Sequence, residues 1–178
     1  MSVVSASGLN VVALNGSPSD PSRSRVLAER ALGFAGGGRL VDLATLDPAA
    51  LLGLGEDPGV VEVRDAVVAS DVLIVATPVY RATYTALTKT IFDLLPMGGL
   101  HGTAVVPIAS GFVAEHSLSV DHGLRPLIAS LGGWTTPTGV YATRADVSDD
   151  SVISEAVETQ LAAAVDEAIG VARSLRRA

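Results

Sequence analysis

VVALNGSPSDPSRSRVL, residues Val11 to Leu27, reads as an apolar strand, a loop of Gly, Ser, Pro and Arg, and the opening of a helix. A strand that runs through such a loop into a helix is the first half of a βαβ unit, the repeat from which parallel sheets are built. The loop composition also points to an anion. The first N–H groups of a helix have no internal partner and lie at the positive end of its dipole. Ser17, Ser19, Ser22 and Ser24 add hydroxyl donors, and Arg23 and Arg25 add guanidinium forks. Neither G-x-G-x-x-G nor G-x-x-x-x-G-K-[ST] is present, so the loop carries neither the dinucleotide fingerprint nor the triphosphate loop. It fits a terminal phosphomonoester. The plainer alternative is an ordinary βα loop, which places two arginines awkwardly against the helix dipole.

Outward from this stretch, β-branched runs alternate with helical ones. The first helix spans Arg25 to Phe34, with Ser24 as cap and Gly36-Gly37-Gly38 as its stop. Arg39–Asp42 is a second strand, and Asp47-Pro48 pairs a cap with a first-turn proline. A helix after Pro58-Gly59 presents Val60, Val63, Val67 and Val68 as its apolar positions. Asp71–Ala76 is apolar on both faces, as a central parallel strand should be. Thr77–Tyr84 reads as a loop, Thr85–Leu95 as a helix, Thr103–Ala109 as a strand and Ser110–Ala114 as a loop. A helix over Glu115–Leu131 is interrupted at Pro126, Trp134–Tyr141 is the fifth strand, and Ser151 caps a last helix running to Arg177. The result is one domain over residues 1–178: a doubly wound α/β sandwich with a five-stranded parallel sheet in the order 2-1-3-4-5 and helices on both faces. In that order, ligands bind beyond the carboxyl ends of strands 1 and 3. Gly16–Ser24 then faces Thr77–Tyr84, with Ser110–His116 alongside.

Each of the three loops suits part of a ligand. Pro78 stiffens the second, leaves neighbouring amides to face a ligand, and precedes Val79 and Tyr80, whose ring could pack beside another ring. Gly111 in the third loop permits close approach of a flat molecule. Ordinary strand-end turns are the competing readings of both. Arg81 is open between contact with a nucleotide 2′-phosphate and plain solvation.

Composition narrows the remaining chemistry. The chain has 178 residues, no cysteine and a net charge of −7. Thiolate catalysis and zinc–thiolate or iron–sulfur sites are excluded, and an acidic chain argues against nucleic acid. His101, His116 and His122 lack metal-ligand spacing, and Asp121 and His122 are adjacent and point apart on a helix. No G-x-S-x-G elbow occurs, so no catalytic side chain and no metal are expected. Lys89 and Asp93 read as an i,i+4 helix pair. No apolar run reaches the ~20 residues of a membrane span, and Met1–Asn10 lacks the features of a signal peptide, so a cytoplasmic protein is expected. Apolar residues at 48% and a mean hydropathy of +0.44 point to oligomerisation.

Taken together, Gly16-Ser17-Pro18-Ser19 with Pro21-Ser22-Arg23-Ser24, Ala76-Thr77-Pro78-Val79-Tyr80 with Leu87, Lys89, Thr90, Asp93 and Leu94-Leu95-Pro96, and Ala109-Ser110-Gly111 with His116, Val120-Asp121, Leu124 and Arg125-Pro126 resemble the NAD(P)H-dependent FMN reductase family. The nearer likeness is to the reductase components of two-component alkanesulfonate and methanesulfonate monooxygenases. The resemblance implies a flavodoxin-like fold, FMN as the flavin, NADPH or NADH as hydride donor, a partner monooxygenase that uses the reduced FMN and, with the composition, assembly as a homodimer or homotetramer. The cofactor-binding set it implies is Gly16, Ser17, Ser22, Arg23 and Ser24 toward the phosphate, Thr77, Pro78, Val79 and Tyr80 along the isoalloxazine, and Ser110 and Gly111 on its other side. Phe112 stands where the family often has a second glycine. His122 stands where several members carry a tyrosine, inserted to form a π-bulge at a tetramer interface. Two alternatives share the fold: a quinone or azo reductase with tightly held FMN, and a flavodoxin-type electron carrier.

Overall fold

The computed structural model describes residues 6–176. Arg177 and Met1–Ser5, which entered the helix-end and signal-peptide readings, lie outside that range. Strand β1 (Val11–Asn15) lies between β2 (Arg39–Asp42) and β3 (Val72–Pro78), and β4 (Ala104–Ser110) follows β3, all parallel. The fifth position is shared by two short strands, β5 (Trp134–Thr135) and β6 (Val140–Ala142), both parallel to β4. The order 2-1-3-4-5 therefore stands, with six strands rather than five. The expected continuous strand over Trp134–Tyr141 is broken because Pro137 cannot donate to a ladder. The carbonyls of Thr136 and Pro137 instead accept from the Arg125 guanidinium at 2.6 and 2.7 Å.

Helices cover both faces. Alternate residues of the central strands point to opposite sides. Val11, Ala13, Ile74, Val106 and Ile108 pack with α1 (Arg23–Ala35) and α6 (Glu155–Leu175). Val12, Leu14, Leu73, Val75 and Val105 pack beneath α2 (Pro48–Leu51), α3 (Pro58–Val68), α4 (Ala86–Asp93) and α5 (Arg125–Ser130). Val68, read as a core position of α3, is 40% exposed one residue before the cap.

Two helix starts differ from expectation. α1 begins at Arg23 and is capped by Ser22, whose hydroxyl accepts from the Arg25 amide; Ser24 lies inside the first turn. α6 is capped by Ser154, while Ser151 sits in a left-handed turn with φ of 63°. The helix expected over Glu115–Leu131 is a 3₁₀ turn (Ala114–Ser117), a π turn (Val120–Leu124) and then α5. Pro126 does not interrupt it. It occupies the opening turn of α5, and the Arg125 N–H reaches back to Val120 O across the wider turn that contains His122.

Candidate active site

The carboxyl ends of β1, β3 and β4 deliver three loops to one open cleft of about 190 Å³. Ser17, Ser22, Arg23 and Ser24 line it from the first loop, Pro78, Val79 and Tyr80 from the second, and Ser110, Gly111 and Phe112 from the third. Nine of the eleven residues expected at the cofactor line this cleft; Gly16 and Thr77 do not. Those two lie behind it. The Gly16 carbonyl accepts from Thr85 Oγ1 at 2.6 Å, and Thr77 Oγ1 accepts from Thr88 Oγ1 at 3.0 Å and from the Thr85 amide at 3.2 Å. A Cβ on Gly16 would overlap Thr88 Oγ1.

The first loop is organised by a residue that the sequence hides at the end of an apolar strand. Asn15 is 3% exposed, and its side-chain oxygen accepts from Ser24 Oγ at 2.9 Å, Ser22 Oγ at 3.4 Å and the Ser17 amide at 3.3 Å. Ser22 and Ser24 also meet each other at 2.9 Å. The Asn15 amide nitrogen donates to Asp42 Oδ1 at 2.7 Å. The amides of Arg23 and Ser24, in the first turn of α1, have no acceptor among the described residues. Arg23 is held at the cleft wall by the Val147 carbonyl at 3.0 Å and Asp149 at 2.7 Å. Arg25, read as a second fork for the anion, turns away to pair with Glu29 and Asp42, which raise its pKa in that order of weight.

The second and third loops differ in detail from expectation. The amides after Pro78 are not free for a ligand: Val79 donates to the Ser110 carbonyl at 2.7 Å and Tyr80 to the Thr83 carbonyl at 2.9 Å. The Tyr80 ring stays 45% exposed at the mouth. The absence of a side chain at Gly111 makes room for Tyr141, whose hydroxyl a Cβ there would overlap. Tyr141 donates to the Val113 carbonyl at 2.6 Å, and burial, with Glu115 and Asp146 nearby, raises its pKa. Tyr141 is thus a third-loop support that no loop motif signals. Phe112, 68% exposed, projects beside the opening. Among the described residues no group of three or more acidic or histidine side chains could hold a metal ion.

The family described as NADPH-dependent FMN reductase matches residues 9–147, a span that contains all three loops. The chain belongs to that family. An NADH-dependent FMN reductase, SfnF, of Pseudomonas fluorescens (strain Pf0-1) is 38% identical over 168 residues, 90% of either chain. An FMN reductase (NADPH) of Pseudomonas aeruginosa is 35% identical over 170 residues, 91% of either chain. The solved structure of an NADH:FMN oxidoreductase, EmoB, in its apo form, superposes with a TM-score of 0.80 at 35% identity, covering 93% of this chain and 89% of that one. The protein is an NAD(P)H-dependent FMN reductase, an oxidoreductase that takes FMN as its flavin and NADH or NADPH as its reductant.

The residues present fit FMN. Two free first-turn amides, clustered hydroxyls and a fixed guanidinium are the donor set for a dianionic phosphate. The wall of Pro78, Val79 and Tyr80, opposite Gly111 and Phe112, suits a flat ring.

Proposed function

We propose that the cleft holds FMN as a substrate that enters oxidised and leaves reduced, to be used by a partner flavin-dependent monooxygenase in the cytoplasm. No helix among the described residues is long and apolar enough to cross a membrane. The observation that carries the reading is the internal satisfaction of the phosphate loop. Ser17, Ser22 and Ser24 already bond within the loop or to Asn15, and Arg23 already has two acceptors. A departing phosphate therefore orphans the first-turn amides of Arg23 and Ser24 but not the hydroxyls or the guanidinium, which suits a flavin that comes and goes. A tightly held prosthetic group calls for the reverse, donors that only the ligand satisfies.

Bound FMN supplies the two-electron acceptor for the nicotinamide hydride, so the protein needs no acid, base or nucleophile of its own. The chain's part is placement. Ser22, Arg23 and the amides of Arg23 and Ser24 anchor the phosphate. Pro78, Val79 and Tyr80 would hold the ring from one side of the cleft, and Ser110 and Gly111 from the other. Gly16 and Thr77 keep the first two loops in register from behind. Orientation is then the main catalytic contribution.

Ser22→Ala combined with Arg23→Ala should weaken FMN binding on the order of a hundredfold, since two bonds to a charged group are lost, and leave riboflavin nearly unchanged. Fluorescence titration with both flavins measures this, and an equal loss for the two would refute the phosphate assignment. Gel filtration after loading with FMN should strip the flavin. A protein that stays yellow and turns over a quinone or azo acceptor would support a prosthetic flavin instead.

A further inference from the structure

We infer that Asn15, oriented by Asp42, is a positioning residue that keeps the phosphate loop built while no flavin is bound. The inference rests on the reading of this loop as the phosphate site. One oxygen, Asn15 Oδ1, accepts from both ends of the loop: the Ser17 amide at 3.3 Å where the chain leaves β1, and Ser24 Oγ at 2.9 Å where it enters α1. The i to i+2 bond to Ser17 is an Asx-type turn, which shapes a loop exit without regular structure. The bond to Ser24 fixes the first turn of the helix whose free amides face the cleft.

An amide side chain has two faces of opposite sense, an acceptor oxygen and a donor nitrogen, and can rotate to exchange them. Were the nitrogen turned toward the loop, it would meet the Ser17 N–H donor and break the closure. Asp42 decides the orientation. Its Oδ1 accepts from Asn15 Nδ2 at 2.7 Å, and its other oxygen is paired with Arg25, so the carboxylate is itself fixed. Asp42 ends β2 in register with Asn15 at the end of β1, so sheet pairing places the lock beside the amide. Neither residue lines the cleft at which the phosphate would bind. Ser24 then serves the anion through its amide, its hydroxyl proton being held by Asn15. Ser22, whose bond to Asn15 is the long one at 3.4 Å, is the hydroxyl able to turn outward. The arrangement makes the empty loop a formed site, as a flavin that is exchanged every turnover requires.

Asp42→Ala and Asn15→Ala should each weaken FMN binding about tenfold, the loss of roughly one well-placed bond's worth of preorganisation, with riboflavin affinity unchanged. Asp42→Asn with Arg25→Gln, which keeps an oxygen for Asn15 Nδ2 and gives the new amide nitrogen an acceptor in place of the guanidinium, should restore most of the FMN affinity. Asp42→Ala with Arg25→Gln should match Asp42→Ala alone, showing that a freed Arg25 is not the cause. In the flavin-free protein, hydrogen exchange over residues 16–24 should speed up in Asp42→Ala while β3 and β4 keep their protection, and KM for FMN should rise with kcat unchanged. Wild-type FMN affinity in both alanine variants, or an equal loss for FMN and riboflavin, overturns the inference. If Ser22→Ala changes the FMN-to-riboflavin ratio and the two alanine variants do not, the positioning role alone fails. If Ser22→Ala also leaves the ratio unchanged, the phosphate reading fails and takes this inference with it.

Discussion

Gly16 sits where the first two loops touch, and the atoms behind it explain why no side chain fits. Thr77, Thr85 and Thr88 are all buried, and their hydroxyls bond to one another and to the Gly16 carbonyl. A Cβ would enter the space held by Thr88 Oγ1, and because that oxygen is tied to two neighbours it cannot turn aside freely. Gly16→Ala should therefore cost about 1–3 kcal/mol, the usual penalty for forcing an extra carbon into a packed interior. Thermal or urea unfolding checks the value. The cause is checked by a cycle: with Thr88→Ala already in place, adding Gly16→Ala should cost much less. Additive penalties would show that the strain lies elsewhere. The Gly-Ser-Pro-Ser motif thus carries two demands at once, the proposed anion in front and a threonine cluster behind. Only the first is legible in the local sequence, because Thr85 and Thr88 come from a helix some seventy residues on.

Among the elements, the segment between β6 and α6 does most to hold Arg23. Asp146 accepts from the Thr143 amide at 2.8 Å, Thr143 Oγ1 at 2.6 Å and Ser154 Oγ at 3.1 Å. The bonds from Thr143, side chain first, hold its carboxyl below the usual range, against a smaller opposing effect of burial. That closure presents the Val147 carbonyl and Asp149 to the guanidinium. A carboxyl depressed on folding adds stability that is fully present above its unfolded pKa, about 3.9, and that is lost as pH falls through the folded value. Asp146→Ala should lower Tm at pH 7, with a deficit that shrinks as pH falls below about 3.9; a deficit that does not change with pH would rule out the charge as the cause. These elements also show what the sequence can carry. Strands β3 and β4 are legible because an apolar run on both faces has few other homes. Ser22 against Ser24, and Ser154 against Ser151, are not separable by pattern, because the choice falls to bonds outside the helix, from Ser24 to Asn15 and from Ser154 to Asp146. The split fifth strand depends likewise on Arg125 reaching carbonyls across a turn.

At the scale of the whole molecule, the two faces of the sheet are covered unequally. One side is closed by α1 and α6, of 13 and 21 residues, whereas the other has α3 of 11 and the shorter α2, α4 and α5 of 4, 8 and 6. Short helices leave gaps at their ends, and apolar side chains stand exposed there: Leu52 and Leu54 after α2, Met97 after α4 and Leu118 before the π turn. The Met97 side chain is fully exposed and Leu54 is 78% exposed. Scattered apolar residues are normal on a monomer, and Trp134 and Val152 are exposed elsewhere, but four large apolar side chains at the ends of short helices, in a chain with mean hydropathy +0.44, are a reason to look for self-association. We propose that this face joins copies of the chain into a dimer or tetramer. Light scattering should then give two or four times the 18.1 kDa chain mass at micromolar concentration. Leu54→Glu with Met97→Glu places charges in that surface without touching the core, so it should shift the mass toward the monomer while far-UV circular dichroism stays unchanged. FMN affinity measured on the same variant separates the two scales: if the cleft is complete within one chain, as its lining by three loops of a single sheet indicates, the monomer should bind FMN within about twofold of the wild type. A monomeric wild-type protein would refute the assembly, and loss of FMN with loss of mass would show that the second copy completes the site.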